Sequence, residues 1–183
     1  ISFAWELFTE VYKIDKDRLY VTVFEGDSKD GLEKDSEAEK YWSEYLPKNR
    51  ILLGSKKDNF WEMGETGPCG PCSEIHIDIR DDKQRKELPG KDLVNMDHPE
   101  VIEIWNLVFI EYKRLANGKL SPLSAKHVDT GMGFERLAMV LQDVKSNYDT
   151  DIFSEIIKTI SGFAGIDYGN SDETDIAMRV IAD

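Results

Sequence analysis

Apolar and polar positions alternate along this chain in two distinct periods. Phe3, Leu7 and Val11, with Trp5, Phe8 and Tyr12, recur at helical spacing over residues 2–12, and the polar stretch 13–17 follows, so a helix and a turn are predicted. Leu19-Tyr20-Val21-Thr22-Val23-Phe24 is β-branched and aromatic and stops at Gly26-Asp27, which predicts a strand. Residues 27–35 form a charged loop. A helical pattern resumes over 36–45, with Ser36 as its cap and Glu39 three residues on. After Pro47 comes a short apolar segment, Arg50-Ile51-Leu52-Leu53. Phe60-Trp61-Glu62-Met63-Gly64 leads into the densest Gly/Pro stretch, Gly64 to Cys72, which reads as a shaped loop, and Ser73 to Ile79 alternates as a strand does.

A second polar loop is expected over 80–99. The strongest strand pattern is Val101 to Tyr112, followed by the hairpin signal Asn117-Gly118 and a return through Lys119 to Leu123. Residues 131–141 read as a glycine-rich opening to a helix with Phe134, Leu137, Ala138 and Leu141 on one face, and further helices are expected over 151–163 and from Asp175 onward. No internal repeat is present. The order predicts an α+β fold with helices on one side of an antiparallel sheet.

The 183 residues, 40% hydrophobic and 32% charged, describe a soluble globular chain and exclude a wholly disordered one. No apolar run approaches the ~18 residues of a membrane span and no basic-then-apolar leader opens the chain, so a cytoplasmic location is expected. Both ends are amphipathic without a cap or polar tail and read as cuts through a longer protein. A net charge of −13 argues against a general nucleic-acid binder, and any RNA contact must be local. Cys69 and Cys72 cannot complete a four-ligand zinc site alone. A thioredoxin-type redox pair needs a helix at the first cysteine, where this sequence turns extended, so a buried pair in a tight loop is the plainer reading.

Nucleotide-binding and hydrolase motifs are missing. There is no phosphate loop, Gly131-Met132-Gly133-Phe134-Glu135-Arg136 ends in Arg where a dinucleotide fingerprint needs a small residue, and His76, His98 and His127 are scattered. What remains is Asp129 placed before a turn of small residues, Thr130-Gly131-Met132-Gly133, that opens a helix carrying Arg136. Glycines admit a ligand close to backbone, a helix start offers N–H groups to an anion, and an arginine one turn in can stack on a purine or pair with phosphate. A glycine-rich turn with a solvated Asp and Arg fits the same spacing.

The segment His127-Val128-Asp129-Thr130-Gly131-Met132-Gly133-Phe134-Glu135-Arg136-Leu137 resembles motif 3 of the alanyl-tRNA synthetases, a class II family. Asp58 to Ile75, with its Gly-Pro-Cys-Gly-Pro-Cys core, Glu103 to Phe109, Asn147 to Phe153 and Arg179 to Asp183 are similar in order and spacing, so the resemblance covers essentially the whole chain. It implies ATP- and Mg²⁺-dependent activation of alanine to alanyl-adenylate and transfer to the 3′ end of tRNA(Ala). It further implies that Asp129 holds the α-ammonium, with Trp61, Asn106, Val108 and Gly131 forming the rest of the pocket. Arg136 would meet the adenine and γ-phosphate region, with Gly133 beside it on the ATP side, and Glu103 with Asn106 would hold Mg²⁺, Glu74 being a second acidic candidate. Residues three apart on a regular strand face opposite ways, so that metal pair requires a twist or a bulge.

By the same resemblance, residues 1–165 are the C-terminal part of an aminoacylation core and 166–183 begin a helical tRNA-recognition region. Motifs 1 and 2 would precede Ile1, and an editing domain with its own zinc would follow Asp183. Two rival readings are a paralogue that ligates an amino acid without tRNA and a non-catalytic binding module.

Overall fold

In a computed structural model describing residues 1–183, the opening helix changes pitch part-way. Helix α1 (Ser2–Glu6) continues as a π-helical segment, Leu7–Val11. The Thr9 hydroxyl donates to the Trp5 carbonyl at 2.8 Å, and the Tyr12 N–H reaches the Leu7 carbonyl at 2.9 Å, five residues back. The remaining elements up to residue 133 are β1 (Leu19–Phe24), α2 (Ser36–Trp42), β2 (Ile51–Gly54), α3 (Lys56–Asn59), β3 (Phe60–Glu62), β4 (Gly67–Asp78), α4 (Asp82–Glu87), β5 (Val101–Arg114) and β6 (Leu120–Met132).

The strands form one sheet in the order β2-β1-β4-β5-β6, with β3 beside the first part of β4. Every pairing is antiparallel except β1 with β2, which are joined through α2 and run parallel, as such a crossover allows. Flanked on both sides, β1 is buried at all six positions, which is why it reads as an apolar and aromatic run.

Several boundaries differ from expectation, four of them in ways that shape the sheet. Asp35, not Ser36, caps α2, accepting from the Ala38 N–H at 2.9 Å. The Gly/Pro stretch becomes strand from Gly67 rather than staying a loop through Cys72, because β3 and β5 pair with it from both sides. The polar loop 80–99 contains α4, held by a reciprocal Asp81–Gln84 capping box. The hairpin return does not stop at Leu123: β6 runs to Met132, so Asp129 to Met132 lie in a strand rather than in a turn that opens a helix.

Residues paired across the ladder share a face of the sheet. Ser73, Ile75, Trp105 and Leu107 lie on the face covered by the first two helices: Trp42 Nε1 donates to Ser73 Oγ at 2.7 Å, and the Phe8 and Trp105 rings sit 5.3 Å apart. Phe8, Trp42, Val21, Ile75 and Ile104 are essentially inaccessible there, each contributing ~1.5–3 kcal/mol of burial.

Residues 134–183 form a separate compact unit of three helices, α5 (Phe134–Leu141), α6 (Ser154–Ala164) and α7 (Asp172–Ala182). In α5 the buried positions are Leu137 and Met139, whereas Phe134 and Leu141, predicted for the same apolar face, are exposed. Gly165 ends α6 in the left-handed region at φ 65°, and Ser171 caps α7 through the Thr174 N–H. The Arg179 guanidinium lies between the Tyr148 and Tyr168 rings, 5.4 and 5.3 Å from their centroids, and Tyr148 Oη donates to Asp183 at 2.7 Å. Two segments far apart in the sequence, Asn147 to Phe153 and Arg179 to Asp183, thus meet.

Candidate active site

The face of the sheet opposite α1 and α2 collects the polar side chains. Alternation along β4 puts Cys72, Glu74 and His76 on it, and pairing carries the face across β5 and β6: Glu74 opposes Asn106, Cys72 opposes Val108, Asn106 opposes Gly131 and Val108 opposes Asp129. Between β4 and β5 the register slips once. His76 opposes Glu103 while Ile75 opposes Trp105, leaving Ile104 as an extra residue. That bulge restores Glu103 to the face of Asn106. Five predicted site residues, Glu103, Asn106, Val108, Asp129 and Gly131, therefore share one surface.

Beneath it lies a network that sequence reasoning largely missed. Glu74 Oε2 accepts from Thr22 Oγ1 at 3.0 Å, Asn95 Nδ2 at 3.0 Å and His76 Nε2 at 3.1 Å, and Asn59 Nδ2 donates to Thr22 Oγ1 at 2.7 Å and to the Cys72 carbonyl at 2.9 Å. Burial alone would push the Glu74 carboxyl up; the bonds from His76, Asn95 and Thr22 outweigh it and hold it below the usual carboxylate value. Polar residues at alternate positions 72, 74 and 76, interleaved with Ser73, Ile75 and Ile77, were the available signal.

Around this network the predicted residues occupy different environments. Val108 is buried, Asn106 and Trp61 are half-buried, and Asp129 and Gly131 are exposed on the edge strand. The buried carboxylate anticipated at Asp129 is therefore an exposed one, its Oδ1 accepting from the Thr130 N–H at 2.8 Å. Trp61 sits on β3 opposite Gly70, and its backbone bonds to the Cys72 thiol. The Gly133 N–H donates to the Ile104 carbonyl at 3.1 Å, just beyond the bulge. Arg136 belongs to the second unit, exposed in the first turn of α5. No group of three His, Cys, Asp or Glu side chains is arranged to hold a metal ion, so Glu103 and Asn106 stand as a pair.

The Cys72 thiol is pushed up to about 12 by burial, with the Asn106 bond acting the other way, and Cys69 is raised by burial too. Neither thiol is poised for redox chemistry. A cleft of about 440 Å³, lined by Ala38, Tyr41, Tyr45, Phe109 and Val128 among others on the helix-covered face, contains none of the predicted pocket residues. The polar face, with its converging donors and acceptors, is the better candidate for chemistry.

The chain belongs to the family described as tRNA synthetases class II (A), whose model matches residues 1–183. Its relatives narrow the likeness further. The chain is 62% identical to an alanine–tRNA ligase of Christiangramia forsetii over 184 residues and 62% identical to one of Parabacteroides distasonis over 183. It is 53% identical over 192 residues to one of Flavobacterium psychrophilum. In each case all of this chain is covered, but only 21%, 21% and 22% of the relative, so the chain spans about a fifth of the length of the relatives it matches. No helix is long and apolar enough to cross a membrane.

Proposed function

We propose that these residues are part of the catalytic core of a cytoplasmic alanine–tRNA ligase, which activates alanine with ATP and transfers it to the 3′ end of tRNA(Ala). The observation that carries this reading is the common face of Asn106, Val108, Asp129 and Gly131, assembled by the β4–β5–β6 register in a chain of this family. The Asp129 carboxylate supplies the charge for the α-ammonium, with Asn106 lining the pocket on the same face. Val108 and Trp61 bound the room for one methyl group. Such a wall excludes larger side chains by clash but distinguishes glycine weakly, since one methyl is worth ~1–3 kcal/mol.

No protein nucleophile is needed, because the substrate carboxylate attacks the α-phosphate and displaces pyrophosphate, and catalysis is positioning with charge neutralisation. Arg136, with Gly133 on the ATP side, is assigned to adenine and the phosphates. The buried, partnerless Asn106 Oδ1 and the Glu103 carboxylate on its face suit a hard cation, so Glu103 with Asn106 would hold Mg²⁺, which neutralises phosphate charge when bound. Zinc has no role in these residues and is assigned to an editing domain elsewhere in the ligase. Residues 1–165 are assigned to the aminoacylation core and 166–183, after the left-handed Gly165, to the start of the helical tRNA-recognition region.

The test is alanine-dependent ATP–pyrophosphate exchange by the full-length polypeptide carrying this sequence, with Asp129→Asn. The variant is expected to lose at least ~100-fold in kcat/KM for alanine. Unchanged exchange, or none in the parent, overturns the reading. The 183 residues by themselves, about a fifth of the length of the relatives, are expected to form no alanyl-adenylate.

A further inference from the structure

Trp61 rides on a strand of only three residues. Strand β3 pairs with β4 alone, with Trp61 opposite Gly70, and the connection that follows, residues 63–66, is exposed. So short a ladder leaves the side chains on either side of Trp61 to hold the strand in place. On one side, Phe60 packs in an apolar cluster with Phe24 and Cys69, its ring 5.3 Å from that of Phe24. On the other, Glu62 enters an ion network. Arg114 Nε donates to Glu62 Oε1 at 2.7 Å, Arg114 Nη2 lies 2.6 Å from the same oxygen, and Lys56 Nζ stands 3.8 Å from Oε2. Arg114, at the end of β5, also donates through Nη2 to Asp30 at 2.7 Å and through Nη1 to the Gly118 carbonyl at 2.8 Å, and Lys56 bonds Asp30 as well. Every guanidinium nitrogen is engaged, and Arg114 is only 9% exposed. Replacing a buried ion pair with apolar side chains is often neutral or favourable for stability, so the contribution of such a network is better sought in the geometry it imposes.

We propose that Arg114 is a positioning residue for amino-acid specificity: through Glu62 it locks β3, and with it the Trp61 wall that limits the substrate side chain to one methyl group. The proposal rests on the reading of Trp61 as a pocket residue. The planar, rigid fork of a guanidinium suits the task, because it reaches Glu62, Asp30 and the Gly118 carbonyl at once. A lysine keeps the charge but has one nitrogen and cannot hold all three. With the clamp loosened, the wall yields to a larger side chain, so the enzyme loses discrimination rather than chemistry.

The test is steady-state ATP–pyrophosphate exchange by the full-length polypeptide with alanine and with α-aminobutyrate, one methylene larger, in Arg114→Lys, Glu62→Ala, Asp30→Asn and Trp61→Ala. The readout is the ratio of the two kcat/KM values, which a smaller folded fraction does not alter. Arg114→Lys and Glu62→Ala are each expected to lower the preference for alanine about 10-fold while KM for ATP stays within about 2-fold. Asp30→Asn loosens the same network but leaves the Arg114–Glu62 pair, and its ratio is expected to stay within about 2-fold of the parent. An unchanged ratio in Arg114→Lys or in Glu62→Ala would show that the network only stabilises and would overturn the proposal. So would an equal fall in Asp30→Asn, or a KM for ATP that rises in step with that for alanine. If Trp61→Ala lowers the ratio and the clamp variants do not, the link fails while the pocket stands. If Trp61→Ala leaves the ratio unchanged, the pocket assignment fails and this proposal with it. Should Arg114→Lys not fold, Glu62→Ala, on a partly exposed position of β3, decides alone.

Discussion

Glu103 stands on the same face of β5 as Asn106, although three residues separate them, because Ile104 has no opposite number on β4. Register puts Cys72 and Glu74 on the same face across the β4–β5 pair, so Glu103, Asn106, Glu74 and Cys72 belong to one surface. The bulge thereby meets the geometric condition that a metal pair with this spacing imposes.

If Glu103 is the carboxylate of that pair, Glu103→Gln in the full-length ligase raises the Mg²⁺ concentration needed for half-maximal exchange by about 10-fold and leaves KM for alanine at saturating Mg²⁺ nearly unchanged. A magnesium titration at fixed ATP checks this. An unaltered titration curve removes Glu103 from the metal site.

Gly131 separates a ligand effect from a folding effect. A Cβ built there meets nothing within 4 Å, so Gly131→Ala is expected to melt within a degree or two of the parent. Its methyl group projects from the face shared with Asn106, so KM for alanine rises at least ~10-fold. Gly70 is the contrast: a Cβ there collides with the Phe109 backbone carbonyl across the ladder, and Gly70→Ala should destabilise by ~3 kcal/mol or more in chemical denaturation. Equal melting of the two variants would contradict the packing described.

Much of this was legible in the sequence where burial was one-sided or complete. Strand β1 is buried throughout and announced itself as Leu19 to Phe24. Strand β6 did not, since Ser124 to Gly131 are all exposed and no alternation of burial marks an edge strand whose pairing partner lies on one side alone. Asp129 was accordingly read as standing before a turn. The Gly-Pro-Cys stretch failed for another reason: glycine and proline signal loops locally, and only pairing with β3 and β5 makes them a strand. The individual pocket residues came from family resemblance, whereas the Glu74 network needed register, which single-sequence periodicity does not supply.

The ion cluster at the far end of the sheet should show in acid. Hydrogen bonds from Arg114 and Lys56 hold the Asp30 carboxyl at about 2, below its ordinary 3.8. A depressed carboxyl contributes stability that is complete above the unfolded value and is lost as pH falls from about 4 towards 2. The full shift corresponds to ~2 kcal/mol, and partial solvent access lowers the expected contribution to ~1 kcal/mol. Asp30→Asn is therefore less stable than the parent at pH 7, and by pH 2.5 the difference shrinks to roughly a third of that, measured by urea unfolding at both pH values. A constant difference across that window would show that Asp30 is not held by its cationic neighbours.

The two cysteines offer a direct check on whether the Cys-x-x-Cys spacing means redox chemistry. With its thiol at about 12, Cys72 is ionised to less than ~1 part in 10⁴ at pH 7.5, and attack on a disulfide reagent requires the thiolate. Cys69 is also raised and is sealed against Phe24 and Phe60 in a core cluster. Neither side chain reaches solvent appreciably in the native state. Titration of the native chain with an aromatic disulfide at pH 7.5 should therefore release almost no thiol over minutes. The same titration in guanidinium should release both. Reaction of either cysteine in the native state, at a rate that climbs with an apparent pKa near 7, would show a thiolate stabilised in place and would restore the redox reading that burial argues against.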